Sequence, residues 1–202
     1  MPPPRKPLND ADEASSPPRI IGGALRGRKL EFMPDPRTRP MKQRVRESLF
    51  NLLGPEIEGK HAIDLFAGTG ALGIEALSRG AASAIFVERH FPTAETLERN
   101  LEALDLDEVG KVLPANSLLW SKRLPELPTI PWVVFCSPPY DLYLQQEPEM
   151  MALVTTLLDA APASSLFAVE CDVRFDTARL PQPTEWDVRE YPPAVLAVMT
   201  KK

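Results

Sequence analysis

Two carboxylates flank a glycine-rich turn in the sequence. Asp64 lies at the end of an apolar run, Gly68-Thr69-Gly70 follows it, and Glu88 comes 20 residues after Gly68. Glycines let the backbone approach a ligand closely, and the N–H groups at the start of the following helix are free to donate. A carboxylate at the Glu88 spacing can accept hydrogen bonds from both hydroxyls of an adenosine ribose. The pattern predicts a nucleoside-binding turn, and a tight turn without a ligand is the alternative.

Asp64 distinguishes between two kinds of nucleoside ligand. With Gly73, the turn also fits the Gly-x-Gly-x-x-Gly fingerprint of dinucleotide-binding proteins. A buried carboxylate beneath the turn suits a cationic ligand end better than a pyrophosphate. S-adenosylmethionine carries an ammonium and a sulfonium at that end, so Asp64 favours this cofactor over a nicotinamide dinucleotide.

A second motif, Ser137-Pro138-Pro139-Tyr140, follows the apolar run Trp132–Cys136. Ligands of open α/β sheets bind at the carboxyl ends of the strands, so this tetrapeptide should face the glycine-rich turn. The prolines stiffen the chain and direct main-chain carbonyls into the cleft, and Tyr140 can stack on a flat base. These groups suit the exocyclic amine of a nucleobase. A plain Pro-Pro turn with a core tyrosine is the alternative.

Other polar residues near the predicted strand ends leave more than one role open. Asn116 follows the third strand and can either bind the adenine edge or cap a helix. Glu170 follows the fifth strand and can line the cleft, cap a helix or lie on the surface. We expect His61 and His90 to be packing or surface residues.

Strand-length apolar runs alternate with helical stretches after residue 60. The predicted strands are His61–Phe66, Ser83–Val87, Lys111–Leu113, Trp132–Cys136 and Leu166–Val169. The predicted helices are Ala71–Arg79, Thr93–Leu104 and Glu149–Ala160. This alternation predicts a doubly wound α/β domain, with a mostly parallel sheet and helices on both faces. Two final strands without a helix between them, Glu185–Tyr191 and Val195–Thr200, predict an antiparallel hairpin that closes a seven-stranded sheet.

The first 54 residues differ from the rest in composition. Residues 1–18 contain six prolines and predict a disordered tail. Glycines interrupt short extended pieces in residues 19–32, which predicts a small hairpin. Apolar residues then recur at helical spacing and predict a helix over Met41–Leu53, which Gly54-Pro55 ends.

Positive charge is concentrated between Arg19 and Arg46. That stretch has nine basic and two acidic residues, a net charge of +7, whereas the whole chain carries −5 and the remainder therefore −12. Such segregation suggests one face for a polyanion on a body that repels polyanions elsewhere. A solvated basic arm is the alternative.

Composition excludes several classes of protein. The chain has 202 residues, 44% hydrophobic and 25% charged, which is typical of one soluble domain with its own core. No apolar run approaches the roughly 20 residues of a membrane span, and the first residues lack the apolar core of a signal peptide. Two cysteines are too few for a disulfide framework or a zinc-finger array. We therefore expect a cytoplasmic protein without a metal.

Taken together, the motifs resemble the RsmD family, bacterial 16S rRNA guanine-N2 methyltransferases of the class I S-adenosylmethionine-dependent type. The resemblance covers about residues 19–175, with the basic arm and a helix preceding the cofactor turn in the same order and spacing. The segments that carry it are Arg19–Gly23, Arg26–Leu30, Arg39-Pro40, Arg44–Asn51, Asp64–Gly80 and Val87-Glu88. The implied architecture is a Rossmann-like fold at 55–202 behind a basic docking hairpin and lid helix at 19–54.

The resemblance also implies roles for individual residues. S-adenosylmethionine would be held by Asp64, Ala67, Gly68, Gly70, Glu88 and Asn116, under a helix that contains Arg44 and Asn51. The catalytic turn, Ser137, Pro138, Pro139 and Tyr140, would hold a flipped guanine with Tyr140 stacked on it. RNA phosphates would dock on Arg19, Arg26, Arg28, Lys29 and Arg39. The substrate would be a 16S rRNA guanine, position 966 in the usual rRNA count, in an assembled or assembling small ribosomal subunit. We expect a monomer and direct in-line transfer.

The sequence departs from the family pattern at three places. Ser137 stands where the family has Asp or Asn, Met41-Lys42-Gln43 replaces a threonine-rich stretch, and Tyr191-Pro192-Pro193 replaces a glycine turn. Ser-Pro-Pro-Tyr also resembles the motif of cytosine-N4 DNA methyltransferases. The alternatives are therefore a cytosine-N4 or other amino-group nucleic-acid methyltransferase, or a non-catalytic RNA-binding relative. A dehydrogenase is disfavoured because no histidine stands where it could transfer a proton.

Overall fold

The computed structural model describes residues 17–33 and 41–202, and the predicted tail lies outside these residues except for Pro17 and Pro18. Seven strands form one sheet in the order β3-β2-β1-β4-β5-β7-β6. Their bounds are β1 His61–Asp64, β2 Ser83–Glu88, β3 Gly110–Pro114, β4 Trp132–Cys136, β5 Leu166–Asp172, β6 Asp187–Tyr191 and β7 Ala194–Thr200. Strands β1 to β5 pair in parallel, whereas β7 runs antiparallel to both β5 and β6. The predicted mostly parallel sheet with a closing antiparallel hairpin is confirmed.

Helices lie before β1 and between successive parallel strands. Their bounds are α1 Gln43–Leu53, α2 Ala71–Ser78, α3 Phe91–Ala103, α4 Ser117–Trp120, α5 Asp141–Gln145 and α6 Glu147–Ala160. Short 3-10 helices cover Gly54–Ile57, Ser121–Arg123, Thr177–Arg179 and Pro183–Glu185. Within the described ranges, none of the helices combines the length and apolar character needed to cross a bilayer.

The predicted lid helix forms for the reason that its spacing suggests. In α1 the side chains of Val45, Leu49 and Phe50 are buried on one face. Gly54 follows with a φ of +57° and donates its N–H to the Phe50 carbonyl, which ends the helix. The sequence therefore placed the end of this helix correctly.

The sheet is covered on both faces, because neighbouring residues of each strand point to opposite sides. In β1, Ala62 belongs to the core that the sheet forms with α1, α2 and α3. The next residue, Ile63, belongs to a second core with α6. Both side chains are fully buried. The prediction of helices on both faces is confirmed.

The predicted N-terminal hairpin is a loop closed by a single antiparallel bridge between Arg19 and Lys29. Within it, Ile20 donates its N–H to the Arg28 carbonyl and Gly27 donates to the Ile20 carbonyl. We call residues 19–31 the basic loop. It has too few paired residues to count as a strand pair, so side chains from the main domain must hold it in place.

Side chains of α2 and α3 contribute to that anchorage. In α2 the buried Glu75 carboxylate accepts hydrogen bonds from Ile21 N at 2.7 Å and Gly22 N at 2.8 Å. In α3 the buried Asn100 side chain accepts from Glu31 N at 2.6 Å and donates to Glu31 O at 3.0 Å. The two ends of the basic loop are thereby fixed to the domain that carries the cleft.

Candidate active site

A cleft of about 420 Å³ opens at the carboxyl ends of the parallel strands. It brings together the two motifs that the sequence singled out. The predicted site residues that line it are Ala67, Gly68, Glu88, Asn116, Ser137, Pro138, Pro139 and Tyr140. Asp64, which precedes the turn, and Gly70, the last residue of the turn, are not among the lining residues. The volume is in the range of sites that bind small molecules.

The glycine-rich turn is held open by Glu88, the last residue of β2. Gly68 donates its N–H to Glu88 Oε2 at 2.9 Å, and His90 donates its N–H to Glu88 Oε1 at 2.7 Å. Gly68 has a φ of +51°, and a Cβ built there would have no atom within 4 Å. A carboxylate has about four acceptor sites, so Glu88 keeps capacity for two hydroxyl donors.

Gly70 serves packing rather than the cleft surface. Its φ is +78°, and a Cβ at this position would lie 2.2 Å from Leu97 Cδ1 of α3. Only glycine therefore lets α2 start this close to α3.

Asp64 is the buried carboxyl group that the sequence places beneath the turn. It is 1% exposed, and its Oδ2 accepts a hydrogen bond from Gly73 N at 3.0 Å. Its Oδ1 is buried without a hydrogen-bond partner. Burial and, to a lesser extent, the Glu88 charge raise the pKa of Asp64 to about 7, against the lowering effect of the Gly73 hydrogen bond. A positive ligand charge in front of the turn would favour its ionised form.

Asn116 caps a helix at the edge of the cleft, and its contact with adenine stays a prediction. Its side-chain oxygen accepts from Leu118 N at 2.9 Å and Leu119 N at 3.3 Å, which caps α4. The residue also lines the cleft. Because the oxygen is used by the cap, the amide N–H₂ is the group left to meet an adenine ring nitrogen.

The turn after β4 converges on Glu170 of β5. Cys136 pairs with Val169 across these parallel strands, so Ser137 and Glu170 lie side by side. The Ser137 hydroxyl donates to Glu170 Oε2, and the Tyr140 hydroxyl donates to Glu170 Oε1 at 2.9 Å. Glu170 is 4% exposed and lines the cleft, so of the roles left open by the sequence the structure selects the cleft. Burial raises the pKa of Glu170, and the two hydroxyl donors oppose that shift.

Comparisons with known proteins identify the family to which the chain belongs. A family model described as "Conserved hypothetical protein 95" matches residues 18–191 of the chain. The ribosomal RNA small subunit methyltransferase D of Escherichia coli strain K12 is 43% identical over 131 residues, which are 64% of this chain and 63% of that protein. The chain belongs to the RsmD family.

Two further relatives extend the RsmD-family likeness. A proposed rRNA methyltransferase of Bacillus subtilis, YlbH, is 37% identical over 139 residues, 69% of this chain and 73% of that protein. The solved structure of a proposed methyltransferase from Escherichia coli, yhhF, matches with a TM-score of 0.74 and 31% identity. The match covers 93% of this chain and 99% of the yhhF chain. The predicted Rossmann-like class I methyltransferase fold is confirmed.

The helix predicted as an RsmD-family lid reaches the cleft at Met41, which lies two residues before the observed start of α1 at Gln43. Met41 lines the cleft, as do Phe32 and Met33 from the end of the N-terminal segment. Arg44 and Asn51 lie exposed on α1 and are not among the lining residues, so their cofactor contact stays a prediction. No spacing signal in the sequence identified Phe32 or Met33.

Four of the five predicted RNA-binding residues lie on the basic loop. Arg19, Arg26, Arg28 and Lys29 are exposed, and Arg28 Nη2 donates to the Ala103 carbonyl at the end of α3 at 2.9 Å. Arg39 lies outside the described residues.

Arg46 belongs to the same basic stretch but points inward. It is 3% exposed and donates from Nη2 to the Arg19 carbonyl at 2.8 Å. In the part of the chain that the structure describes, no group of three His, Cys, Asp or Glu side chains could hold a metal ion.

Proposed function

We propose that this protein is an rRNA methyltransferase that uses S-adenosylmethionine and methylates the exocyclic N2 amine of a guanine in small-subunit rRNA. The observation that carries the proposal is the meeting of two motifs in one cleft. The Gly68 turn with Glu88 forms one wall, and Ser137-Pro138-Pro139-Tyr140 forms another. A nucleoside cofactor and a nucleobase would therefore bind side by side.

The cofactor half of the cleft fits S-adenosylmethionine. Glu88 offers acceptors to the ribose hydroxyls, and Gly68 leaves the wall open because no atom lies where a Cβ would project. Behind the turn, the unpartnered Asp64 Oδ1 supplies a buried negative end for a cationic ligand. The bound cofactor supplies a methyl group made electrophilic by its sulfonium, and the protein binds and orients it.

The substrate half fits an extruded base. Tyr140 lines the cleft and donates its hydroxyl to Glu170, and its aromatic ring is of the type on which a base stacks. Ser137 and the carbonyls of the proline turn offer acceptors for amine hydrogens. Extrusion of the base costs a few kcal/mol, which stacking and phosphate contacts offset. Positioning of the amine in line with the methyl group then supplies much of the rate increase.

The positive charge of the basic loop supports the proposal that the methylated base belongs to an RNA. Its exposed cations precede Phe32 and Met33, which line the cleft, by only a few residues. A phosphate backbone bound on the loop would thus run towards the cleft mouth. A small subunit as substrate would place the protein in the cytoplasm, and we propose that it acts there as a monomer.

Methyl transfer to small ribosomal subunits that lack the modification tests this function. Labelled S-adenosylmethionine, the full chain and subunits are mixed, and the rRNA is digested for nucleoside mass spectrometry. We expect N2-methylguanosine. N4-methylcytidine would instead support the alternative that Ser137 favours, and binding of cofactor without transfer to any RNA would contradict enzymatic function.

A matched pair of glycine variants controls this assay. Gly68 and Gly59 both have positive φ and open space at Cβ, but Gly68 alone of the two lines the cleft. We expect Gly68→Arg to abolish cofactor binding and transfer, whereas Gly59→Arg should carry the same backbone strain and retain both. Equal effects of the two substitutions would place the cofactor elsewhere.

A further inference from the structure

Ser137 is chemically different from an isolated serine because its hydroxyl proton already forms a hydrogen bond. Its hydroxyl donates to Glu170 Oε2, so the groups that Ser137 presents to the cleft are the remaining lone pairs of Oγ. A hydrogen bond to a carboxylate also increases the negative charge on the donor oxygen. Ser137 Oγ can therefore accept a hydrogen bond from an amine N–H, while the Glu170 carboxylate is hydrogen-bonded to the same hydroxyl.

Methylation of an exocyclic amine generates a proton that must leave. As the N–CH₃ bond forms, the S–CH₃ bond breaks with its electrons staying on sulfur, and the nitrogen becomes positively charged. In the cleft, the buried carboxylate beside the proposed base site is Glu170. Ser137 lies between that carboxylate and the space where the amine would bind.

We propose that Glu170 receives this proton through the Ser137 hydroxyl, an inference that rests on the proposed function. The nitrogen gives its proton to Ser137 Oγ while Ser137 passes its own hydroxyl proton to Glu170 Oε2. The products are a neutral thioether, a neutral methylated amine and a protonated Glu170, which returns its proton to water after the product leaves. Serine can thus stand where the family has Asp, because the charge is supplied by the neighbouring strand.

Tyr140 adjusts the same carboxylate from its other side. It donates to Glu170 Oε1 at 2.9 Å, so each carboxylate oxygen has one hydroxyl donor. These donors favour the ionised form that a proton acceptor needs. Burial acts in the opposite direction and raises the pKa of Glu170, which increases its affinity for the proton once the amine is charged.

The other titratable groups near Glu170 can be separated from it. Burial raises the pKa of Cys171 to about 12 and that of Tyr143 well above its ordinary value, so neither ionises near neutrality. Arg174 and Asp141 line the same cleft and form an ion pair, and the Arg174 hydrogen bond lowers the pKa of Asp172. Burial also raises the pKa of Asp64 to about 7, and its Oδ2 accepts its hydrogen bond from Gly73 N rather than from Ser137.

Single-turnover methyl transfer, measured from about pH 5.5 to 9 with cofactor and subunits saturating, tests the relay. Wild type should lose rate on the acidic side as Glu170 becomes protonated. Glu170→Gln should lower the rate by about 10²- to 10⁴-fold and remove that acidic limb, with cofactor and RNA affinity within about twofold. Tyr140→Phe should move the limb to higher pH. Glu190→Gln, an exposed carboxylate on β6, is the charge control and should behave as wild type.

A rescue experiment shows whether Glu170 accepts a proton or only holds the turn in place. Ser137→Asp in the Glu170→Gln background places one carboxylate directly at the amine, and we expect the rate to return to within about tenfold of wild type. Ser137→Asp alone puts two carboxylates side by side and should be slower than the double variant. If Glu170→Gln unfolds, Ser137→Ala provides the same test, because it removes the bridging hydroxyl and retains Glu170.

Several results would overturn the relay. One is a Glu170→Gln variant with the rate and pH profile of wild type. Another is a loss of cofactor or RNA affinity in that variant as large as its loss of rate. The third is a Glu170→Gln rate that Ser137→Asp does not restore. A wild-type protein that methylates no small-subunit RNA would overturn the proposed function itself, and the relay with it.

Discussion

Asp64 and Glu170 are two buried carboxyl groups near the cleft, and they differ in their hydrogen-bond partners. Glu170 has a hydroxyl donor on each oxygen. Asp64 has one backbone donor on Oδ2 and none on Oδ1. The charge of Asp64 therefore depends more strongly on what binds in front of the turn.

Asp64→Asn should stabilise the ligand-free protein at neutral and higher pH. The ordinary aspartate pKa is 3.8, whereas folded Asp64 has a pKa of about 7, so the folded state binds more protons between these values. Stability contributed by this group is present below about pH 4 and is lost as the pH rises through about 7. The loss is up to roughly 4 kcal/mol. Urea unfolding at about pH 5 and pH 8 should show the variant gaining on wild type at the higher pH.

His61 does not disturb this comparison. Burial lowers the pKa of His61, so it destabilises the fold as the pH falls, but it does so equally in both proteins. Asp107→Asn, an exposed carboxylate, should track the wild-type profile. Parallel stability curves for wild type and Asp64→Asn would show that burial does not perturb Asp64.

At the residue scale, the sequence predicted which side chains line the cleft better than it predicted which residues they contact. The Gly68 and Glu88 spacing was sufficient because both residues belong to one β1-α2-β2 unit, whose two strands are consecutive and pair in parallel. Ser137 and Glu170 are 33 residues apart, and their contact depends on the β4 to β5 register. Arg46 counted towards the basic stretch, yet helical position turns it inward to the Arg19 carbonyl.

The basic loop is held by side chains rather than by strand pairing, and that makes its anchors testable. Asn100→Ala removes both hydrogen bonds to the Glu31 backbone. We expect a loss of about 1–3 kcal/mol in stability and faster tryptic cleavage at the loop cations. Limited proteolysis with mass spectrometry of the fragments measures the second effect.

Glu98→Ala is the matched control on the same helix, because Glu98 is exposed on α3. It should leave the cleavage rate near that of wild type. Equal cleavage rates for Asn100→Ala and wild type would mean that the other contacts of the loop, such as those of Glu75 and Ser78, are sufficient to fix it.

At the element scale, length decided what the sequence could predict. Helix α1 has enough turns for its apolar positions to recur, and its end is marked by Gly54. Helices α4 and α5 span only Ser117–Trp120 and Asp141–Gln145, too short for a periodic pattern. Asn116 was the one local sign of α4, and its cap was one of two open interpretations.

At the scale of the whole molecule, charge separation should govern binding to RNA. Replacing Arg26, Arg28 and Lys29 with Ala should weaken RNA binding and flatten its salt dependence. The slope of log Kd against log salt should fall by roughly 0.7–0.9 for each phosphate that the loop no longer neutralises. Filter binding of small-subunit rRNA over a salt series measures the slope.

The control removes the same charge elsewhere. Lys111, Lys122 and Arg123 are exposed outside the basic loop, and their replacement with Ala should change the slope much less. An unchanged slope in the loop variant would show that another face binds the phosphates.

The order of the strands has a consequence for how the protein is made. Strand β7 follows every other described strand in the sequence, yet it lies between β5 and β6 and pairs with both. While the chain is being synthesised, β6 has no neighbour and the edge of β5 stays open until Ala194–Thr200 leave the ribosome. The sheet thus cannot be completed vectorially, and the emerging chain exposes a sheet edge on which chaperones or other nascent chains can pair.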